Sequence, residues 1–269
     1  MNKINLKTYW IDLLISGTIF KLSFLGFAFT YNPVAFFIAG ISLYRIGAFI
    51  HEIAHQNTNK EFTSFKRFWN IFIGPLVLTP SILFVRPHLK HHTTGVFSTK
   101  DDPQYPLIKS NKRLAFVVFC ILPFLLPIYN LCVCVFSFME DRNPFLSILY
   151  KGVKFSKEDY IEAKHYSFWY LIVLEVLVLW LGYIILPLYF VSVFAWFLST
   201  LRIPLEHELY FYKETSDYND QKLDSKTHRH WLYIIIQPLA LRYHTVHHMY
   251  PRIPYHNLEK ADKELNTID

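Results

Sequence analysis

The chain has 269 residues, of which 52% are apolar and only 18% are charged. A soluble domain carries about 25% charged residues, and here the apolar residues form long runs that a domain of this length could not bury. The composition excludes an ordinary soluble domain and favours one membrane domain over residues 1–269. The net charge of +6 does not indicate a nucleic acid partner, because the basic residues flank apolar runs as in membrane proteins.

The first two apolar runs predict a helical hairpin in the membrane. Residues 11–31 have the ~20 residues that a span needs, Asn32 and Pro33 predict a tight turn, and residues 33–50 return. Lys3 and Lys7 precede the first run, whereas the turn contains no basic residue. The positive-inside rule therefore places the N-terminus, and the segment after the second run, in the cytoplasm.

Two further runs contain prolines that interrupt a simple span. Residues 69–85 include Pro75 and Pro80, which predicts an interfacial or re-entrant helix. Residues 114–136 also contain two prolines, and we expect them to dip into the membrane and return.

The last long apolar run, residues 168–200, would extend about 50 Å as one helix, which exceeds a single crossing. We expect it to divide into two spans near Pro187. Two crossings also leave His92 and His207, which flank this part of the chain, on the same side. The expected fold is an all-α integral membrane protein with about four transmembrane helices, interfacial helices and a cytosolic histidine-rich cap.

Eight of the 13 histidines fall into three short motifs at the ends of apolar runs. The motifs are HxxxH at 51–55 and HxxHH at 88–92 and 244–248. Helical positions i, i+3 and i+4 share a face, so each motif presents two or three imidazoles in one direction. These histidines are His51, His55, His88, His91, His92, His244, His247 and His248.

So many imidazoles predict two metal ions with open coordination positions. Imidazole binds Zn, Cu, Fe and Ni, but one zinc takes only four ligands. Next to a membrane, the abundant substrate is an unactivated methylene, which neither a general base nor metal-bound water can attack. Oxidation of an acyl chain by O2 at two irons is therefore the expected chemistry.

The first motif alone allows a different interpretation. His51-Glu52-x-x-His55 also fits HExxH, the signature of zinc metalloproteases, with Glu52 as general base. This remote alternative, an intramembrane protease, leaves both HxxHH motifs without a role. The sequence also has no Asn-Pro-Asp-Gly segment to provide a third ligand. In the oxidase interpretation Glu52 instead orients a ligand imidazole.

The ordered motifs resemble those of the membrane fatty acid desaturase and hydroxylase superfamily. Residues 86–92, followed by Asp101-Asp102-Pro103, are similar to the second histidine box. Residues 201–207 resemble the Arg-x-x-x-Glu-His stretch after the last span, and residues 243–258 match the third box most specifically. The resemblance covers residues 41–260.

This resemblance implies a four-span fold with a di-iron centre in the cytosolic cap, with O2 as co-substrate. It implies that His207 is a ninth ligand and that Glu52, Asp101, Asp102 and Glu206 are candidates for orienting ligands. It also implies a separate electron donor, either a ferredoxin or a haem carrier with its reductase. His228 and His230 stand where relatives often have Thr-Arg-Thr, and we expect them at the surface.

The leading functional expectation is desaturation of a methylene pair in a fatty acid or lipid. A hydroxylase or ketolase of the same scaffold, acting on fatty acyl chains or carotenoids, is the alternative. The substrate is expected to be a membrane lipid or an acyl thioester.

Overall fold

The computed structural model describes residues 3–103, 112–139, 152–207 and 224–266, together with residues 150 and 222. In these ranges the fold is helical, and strand pairing consists of two isolated bridges. In chain order the helices are α1 (Leu6–Thr30), α2 (Pro33–His55), α3 (Thr63–Phe72), α4 (Gly74–Val77), α5 (Ser81–His91), α6 (Lys112–Met139), α7 (Lys157–Leu181), α8 (Ile185–Glu206), α9 (Tyr233–Ile236), α10 (His244–Met249) and α11 (Tyr255–Asn266).

The predicted hairpin of α1 and α2 is confirmed. Tyr31 ends α1 in the left-handed conformation, with φ of 53°, and the Asn32 side chain accepts hydrogen bonds from the backbone of Val34 and Ala35 at 2.9 and 3.2 Å. Pro33 begins α2, where its missing N–H is not needed. Helix α2 continues to His55, so the first histidine motif lies on its last turns.

Residues 69–85 form parts of three helices rather than one. Helix α3 ends at Phe72, the short α4 follows, and α5 begins at Ser81 after a left-handed Leu78. The Asn70 side chain joins the two longer helices, because it accepts from the Ser81 backbone at 2.9 Å and donates to the Ser81 hydroxyl at 2.8 Å. This junction positions α5, which carries the second histidine motif.

Residues 114–136 do not turn back in the membrane as predicted. They belong to α6, a continuous helix that contains Pro123 and Pro127. Prolines are tolerated in membrane helices because neighbouring groups satisfy the freed backbone. Near these prolines, the Tyr189 hydroxyl of α8 donates to the Phe124 carbonyl at 3.0 Å and connects α8 to α6.

The expected division of residues 168–200 into two helices is confirmed, although its position differs. The break is the 3-10 turn Gly182–Ile184, before Pro187. Pro187 lies in the first turn of α8, where a proline removes no helical hydrogen bond. A single proline near a helix start was therefore a poor indicator of the break.

Four stretches of the described chain are long and apolar enough to cross a membrane: Leu6–Thr30, Pro33–His55, Cys120–Phe138 and Lys157–Glu206, the last comprising α7 and α8. Large apolar side chains also point outward from these helices. Leu22 and Phe29 are 66% and 64% exposed, and Leu179 and Trp180 are 71% and 78% exposed. Only lipid would cover such surfaces without an energetic cost, and the protein is a multi-pass integral membrane protein.

Helix α5, which carries the second histidine motif, is fixed to α7 by an ion pair. Arg86 of α5 makes a two-pronged contact with Asp159 of α7, at 2.8 and 2.7 Å. Asp159 also accepts from the Ser156 backbone at 2.8 Å in a capping box that begins α7. One carboxylate therefore both starts α7 and holds α5 against it.

The close contact between Gly74 of α4 and Tyr170 of α7 allows a test of the packing between these helices. A Cβ at Gly74 would overlap with the hydroxyl of Tyr170, which donates to Asn70 at 3.2 Å. We expect Gly74→Ala to destabilise the protein by about 1–3 kcal/mol through overpacking. A Cβ at Gly17 would meet nothing within 4 Å, so Gly17→Ala is the matched control and should be neutral or slightly stabilising. Thermal unfolding in detergent measures both, and equal midpoints would contradict the prediction.

Candidate metal centre

The nine histidines proposed from the sequence lie together in one cluster. Seven are buried, while His55 and His92 are half-buried. Their Nε2 atoms approach one another closely: His55 and His88 at 2.9 Å, His88 and His92 at 3.2 Å, His92 and His247 at 3.3 Å, His207 and His244 at 3.1 Å, and His244 and His248 at 3.0 Å. The four chain segments that carry them therefore meet at one point.

The cluster divides into adjacent groups whose ligand atoms lie within 4.8 Å of one another. The groups are His51, His55, His88, His92 and His247; His91, His92 and His248; and His207, His244 and His248. His92 and His248 each belong to two groups. This arrangement fits two neighbouring metal positions better than one, because a single ion cannot accept nine ligands.

The local backbone explains the directions of these side chains. The first motif lies on α2, and His88 and His91 lie on α5, so their imidazoles share helical faces as predicted. The third motif lies wholly on α10. His207 differs, because it follows the last residue of α8 with φ of −130° and ψ of 150°. An isolated residue in extended backbone has no periodic signal, so only the resemblance could identify it.

Burial favours the neutral form of six of these imidazoles. Loss of solvation, and then the neighbouring imidazoles, lower the pKa well below the usual value for His88, His92, His244, His247 and His248. Loss of solvation also lowers the pKa of His207. A neutral imidazole keeps the lone pair that a metal requires.

The donor set also passes a test based on unpaired atoms. In the described part of the chain, both ring nitrogens of His51 and the Nδ1 atoms of His244, His247 and His248 are buried without a hydrogen-bond partner. A buried polar atom without a partner costs about 1–3 kcal/mol. Coordination of a metal would offset this cost for one ring nitrogen of His51, whereas His244, His247 and His248 face the cluster through Nε2 and would coordinate through that atom. Imidazole suits iron, so these residues fit a metal centre of the type that the sequence predicts.

Asp102 orients one histidine of the cluster. Its carboxylate lies 2.8 and 3.0 Å from Nδ1 of His91 and also accepts from the Ser98 backbone at 2.9 Å. This contact leaves Nε2 of His91 facing the cluster, as in many metal sites where a carboxylate fixes a ligand. Asp101 is exposed, and its backbone bonds to the Thr99 hydroxyl at 3.3 Å. The sequence alone could not show which of these two aspartates contacts a histidine.

The two glutamates lie at opposite sides of the cluster. Glu206 has an oxygen 3.7 Å from Nδ1 of His244 and another 3.1 Å from Nε of Arg202. An oxygen of Glu52 lies 3.8 Å from Nδ1 of His51. Glu52 accepts hydrogen bonds from the Tyr9 hydroxyl and, at 3.1 Å, from the Tyr255 backbone. Both carboxylates are buried and already engaged.

The sequence analysis missed the partners of Glu52. Tyr9 comes from α1 and Tyr255 from α11. The Tyr255 hydroxyl donates to Asp12 at 3.0 Å, and Asp12 pairs with Arg45 of α2. Asp12 and Arg45 are ionisable residues inside apolar runs, and such residues usually pair. That rule could have identified this pair, but not its link to Glu52.

The remaining histidines lie outside the nine-residue cluster. His228 contacts the Leu205 carbonyl at 2.8 Å and stacks on Tyr233. His230 and His165 are exposed. His256 accepts from the Asn5 backbone at 3.2 Å. None of them belongs to a group of possible metal ligands among the described residues.

An apolar cavity borders the cluster between α2 and α8. His51 belongs to its wall, together with Trp69 and Phe84. A second cavity lies between α6, α7 and α8. Val77, Ser192 and Trp196 line both, so the two cavities are neighbours with a shared wall.

The chain matches the fatty acid desaturase family over residues 10–268. Because this covers nearly the whole chain, the protein belongs to that family and is an oxidoreductase. A ceramide hydroxylase of Caulobacter vibrioides (strain NA1000 / CB15N) is 28% identical over 291 residues, which cover 97% of this chain and 81% of that protein. No solved structure matches the chain. Family membership overrules the metalloprotease alternative.

Asp102 and Asp101 provide a matched test of the centre. Asp102→Asn should weaken metal binding by roughly 10–100-fold, because the carboxylate that orients His91 is lost. Asp101→Asn should leave it unchanged, since Asp101 is exposed. Competition between the purified variants and a chelator for Fe²⁺ measures the affinities. Equal losses in both variants would contradict the role assigned to Asp102.

Proposed function

We propose that this protein oxidises an acyl chain of a membrane lipid with O2, at two irons held by the nine histidines, and that the product is hydroxylated. The observation that supports it is the position of His51, which belongs both to the histidine cluster and to the wall of the apolar cavity. A chain that follows this cavity brings a methylene against the cluster.

The chain's own residues have separate tasks in this proposal. The nine imidazoles hold the irons, which when bound supply the oxidising power to break a methylene C–H bond with O2. Asp102 holds the His91 ring, and Glu206 lies beside the His244 ring. Trp69 and Phe84 in the cavity wall exclude water and restrict the carbon that reaches His51, which positions the reacting bond.

Hydroxylation and desaturation begin with the same hydrogen abstraction and differ in its outcome. In hydroxylation the substrate gains one oxygen atom, whereas in desaturation it loses a second hydrogen. The ceramide hydroxylase relative, which aligns with 97% of this chain, favours hydroxylation of a ceramide-like lipid. The description of the matched family favours desaturation, which remains the second candidate.

Either reaction needs electrons, and we propose that a separate ferredoxin or haem carrier with its reductase supplies them. The three cysteines all lie on α6, a hydrophobic helix, and offer no ferredoxin-like set. The donor would approach the end of the molecule that carries the histidines.

Lipid analysis tests the reaction. Cells that express the wild type should accumulate lipids with one added oxygen atom, and His247→Ala should abolish the product because one ligand is lost. His165→Ala is the control, since His165 is exposed and outside the cluster, and it should keep the activity. Mass spectrometry reads the products, and iron analysis of the purified protein should give about two irons per chain.

Three outcomes would each contradict part of this proposal. Unchanged lipids with iron-loaded protein and a competent electron donor would exclude lipid oxidation. Lipids that lose two hydrogen atoms without gaining oxygen would replace hydroxylation by desaturation. About one zinc per chain in place of iron would exclude the proposed centre.

We also propose that the N-terminus and the histidine cluster face the cytoplasm, as the basic residues before α1 suggest. Single cysteines can test this in a cysteine-free background. Val34→Cys lies at the start of α2 and Lys60→Cys beyond its histidine end, and both residues are exposed. A membrane-impermeant maleimide should label Val34→Cys in intact cells and Lys60→Cys only after permeabilisation. The reverse pattern would invert the orientation.

A further inference from the structure

Two charged residues of the membrane helices face outward. Lys21 of α1 and Glu175 of α7 are both exposed and lie within stretches that are long and apolar enough to cross a membrane. Leu25 and Leu179, each one helical turn further along, are 37% and 71% exposed, so apolar side chains accompany both charges. Ionisable residues in membrane helices almost always face the protein interior and pair with one another, because lipid solvates an isolated charge poorly. The outward positions of Lys21 and Glu175 are therefore unusual.

Neither Lys21 nor Glu175 makes an ion pair within the described part of the chain. The other opposite charges of the first hairpin are paired inside the molecule. Arg45 of α2 donates from Nε to Asp12 of α1 at 3.1 Å. The fold thus pairs Asp12 with Arg45, whereas among the described residues it provides no opposite charge for Lys21 or Glu175.

Lys21 and Glu175 lie at the same depth in the membrane. Helices α1 and α7 both begin at the histidine end of the molecule and run away from it, and near their outer ends the rings of Phe29 and Tyr183 lie 6.0 Å apart. Lys21 precedes Phe29 by eight residues, and Glu175 precedes Tyr183 by eight. The rise of a helix therefore places each charge about 12 Å from the level of this ring contact. Two copies in one membrane, which share the same orientation, have these opposite charges at matching depth.

We propose that this chain forms a dimer in which Lys21 of each copy pairs with Glu175 of the other. A two-fold axis along the membrane normal forms both pairs at once, because each copy contributes one lysine and one glutamate. The apolar side chains beside the charges then pack between the copies and exclude lipid from the pairs. The charges also select the contact, since α1 must meet α7 and not a second α1. The interface lies away from the histidine cluster, so this inference does not depend on the proposed reaction.

Charge reversal in separate copies tests the pairing. Lys21→Glu gives a copy with two outward carboxylates, and Glu175→Lys gives a copy with two outward ammonium groups. Each variant alone should dimerise at least about tenfold more weakly than wild type, because both attractive contacts are lost and like charges meet. An equal mixture of the two variants should regain the wild-type affinity, since opposite charges meet at both contacts. Mixing cannot restore a pair that forms within one chain.

Energy transfer between labelled copies in phosphatidylcholine vesicles measures dimerisation as the protein-to-lipid ratio is lowered. The dyes are attached at Lys60→Cys in a cysteine-free background, because Lys60 is exposed and lies beyond the histidine end of α2. Lys21→Arg is the matched control, since it keeps the charge and should dimerise like wild type. Thermal unfolding verifies that every variant folds.

Two neutral variants avoid the like-charge contacts. Lys21→Met and Glu175→Gln should each weaken the dimer by about tenfold, because both ion pairs are lost in each variant. Their mixture restores one of the two pairs and should dimerise more tightly than either variant alone. If a charge-reversed variant does not fold, these two variants and their mixture decide the question in the same way.

Three results would reject the proposed dimer. Wild type that stays monomeric at every protein-to-lipid ratio would exclude a second copy as the partner. Variants that dimerise like wild type, or whose mixture dimerises no better than either alone, would show that Lys21 and Glu175 do not meet between copies. Recovery in the double variant Lys21→Glu/Glu175→Lys without recovery in the mixture would assign the pair to a single chain.

Discussion

The structure depends on nine histidine side chains that converge at one end of its membrane helices, seven of them buried and two half-buried. These side chains come from α2, α5, the residue after α8, and α10. Their Nε2 atoms approach one another to 2.9–3.3 Å, and in the described part of the chain both ring nitrogens of His51 are buried without a hydrogen-bond partner. Such a cluster is costly by itself, so a metal bound there would both complete the site and join distant parts of the chain. In the proposed function, stability and activity would share one set of ligands.

The buried carboxylate of Glu52 connects the histidine cluster to other helices of the fold. Glu52 connects α2 to Tyr9 of α1 and to the backbone of Tyr255 at the start of α11. The aromatic rings of Tyr9 and Tyr255 also pack edge to face with centroids 4.9 Å apart. The hairpin that crosses the membrane and the C-terminal helix are thus fixed to the residue beside His51. A fully satisfied buried network of this kind specifies one arrangement of the helices.

The sequence predicted those features that depend on local spacing. His51 and His55, or His88 and His91, share a helical face wherever the helix lies, so their convergence within each motif followed from periodicity. Features that depend on distant neighbours were not accessible. Pro75 lies where the helix is broken, whereas Pro123 lies inside a continuous helix, because the surroundings decide whether the freed backbone is satisfied. The choice of Asp102 over Asp101 likewise depends on the loop that follows α5.

Helix α8 connects the wall of the apolar cavity to the histidine cluster in one rigid element. Ser192 and Ser199 line the cavity, Arg202 pairs with Glu206, and Glu206 lies beside His244 while the next residue is His207. A change at Arg202 would disturb the substrate cavity and the metal ligands together. Ser199 lies within one turn of Arg202, whereas Ser192 lies about three turns before it, so a substitution at Ser192 can change the cavity without changing the histidine cluster. We therefore expect the cavity of this scaffold to vary most easily at Ser192, and Arg202 to change only together with Glu206.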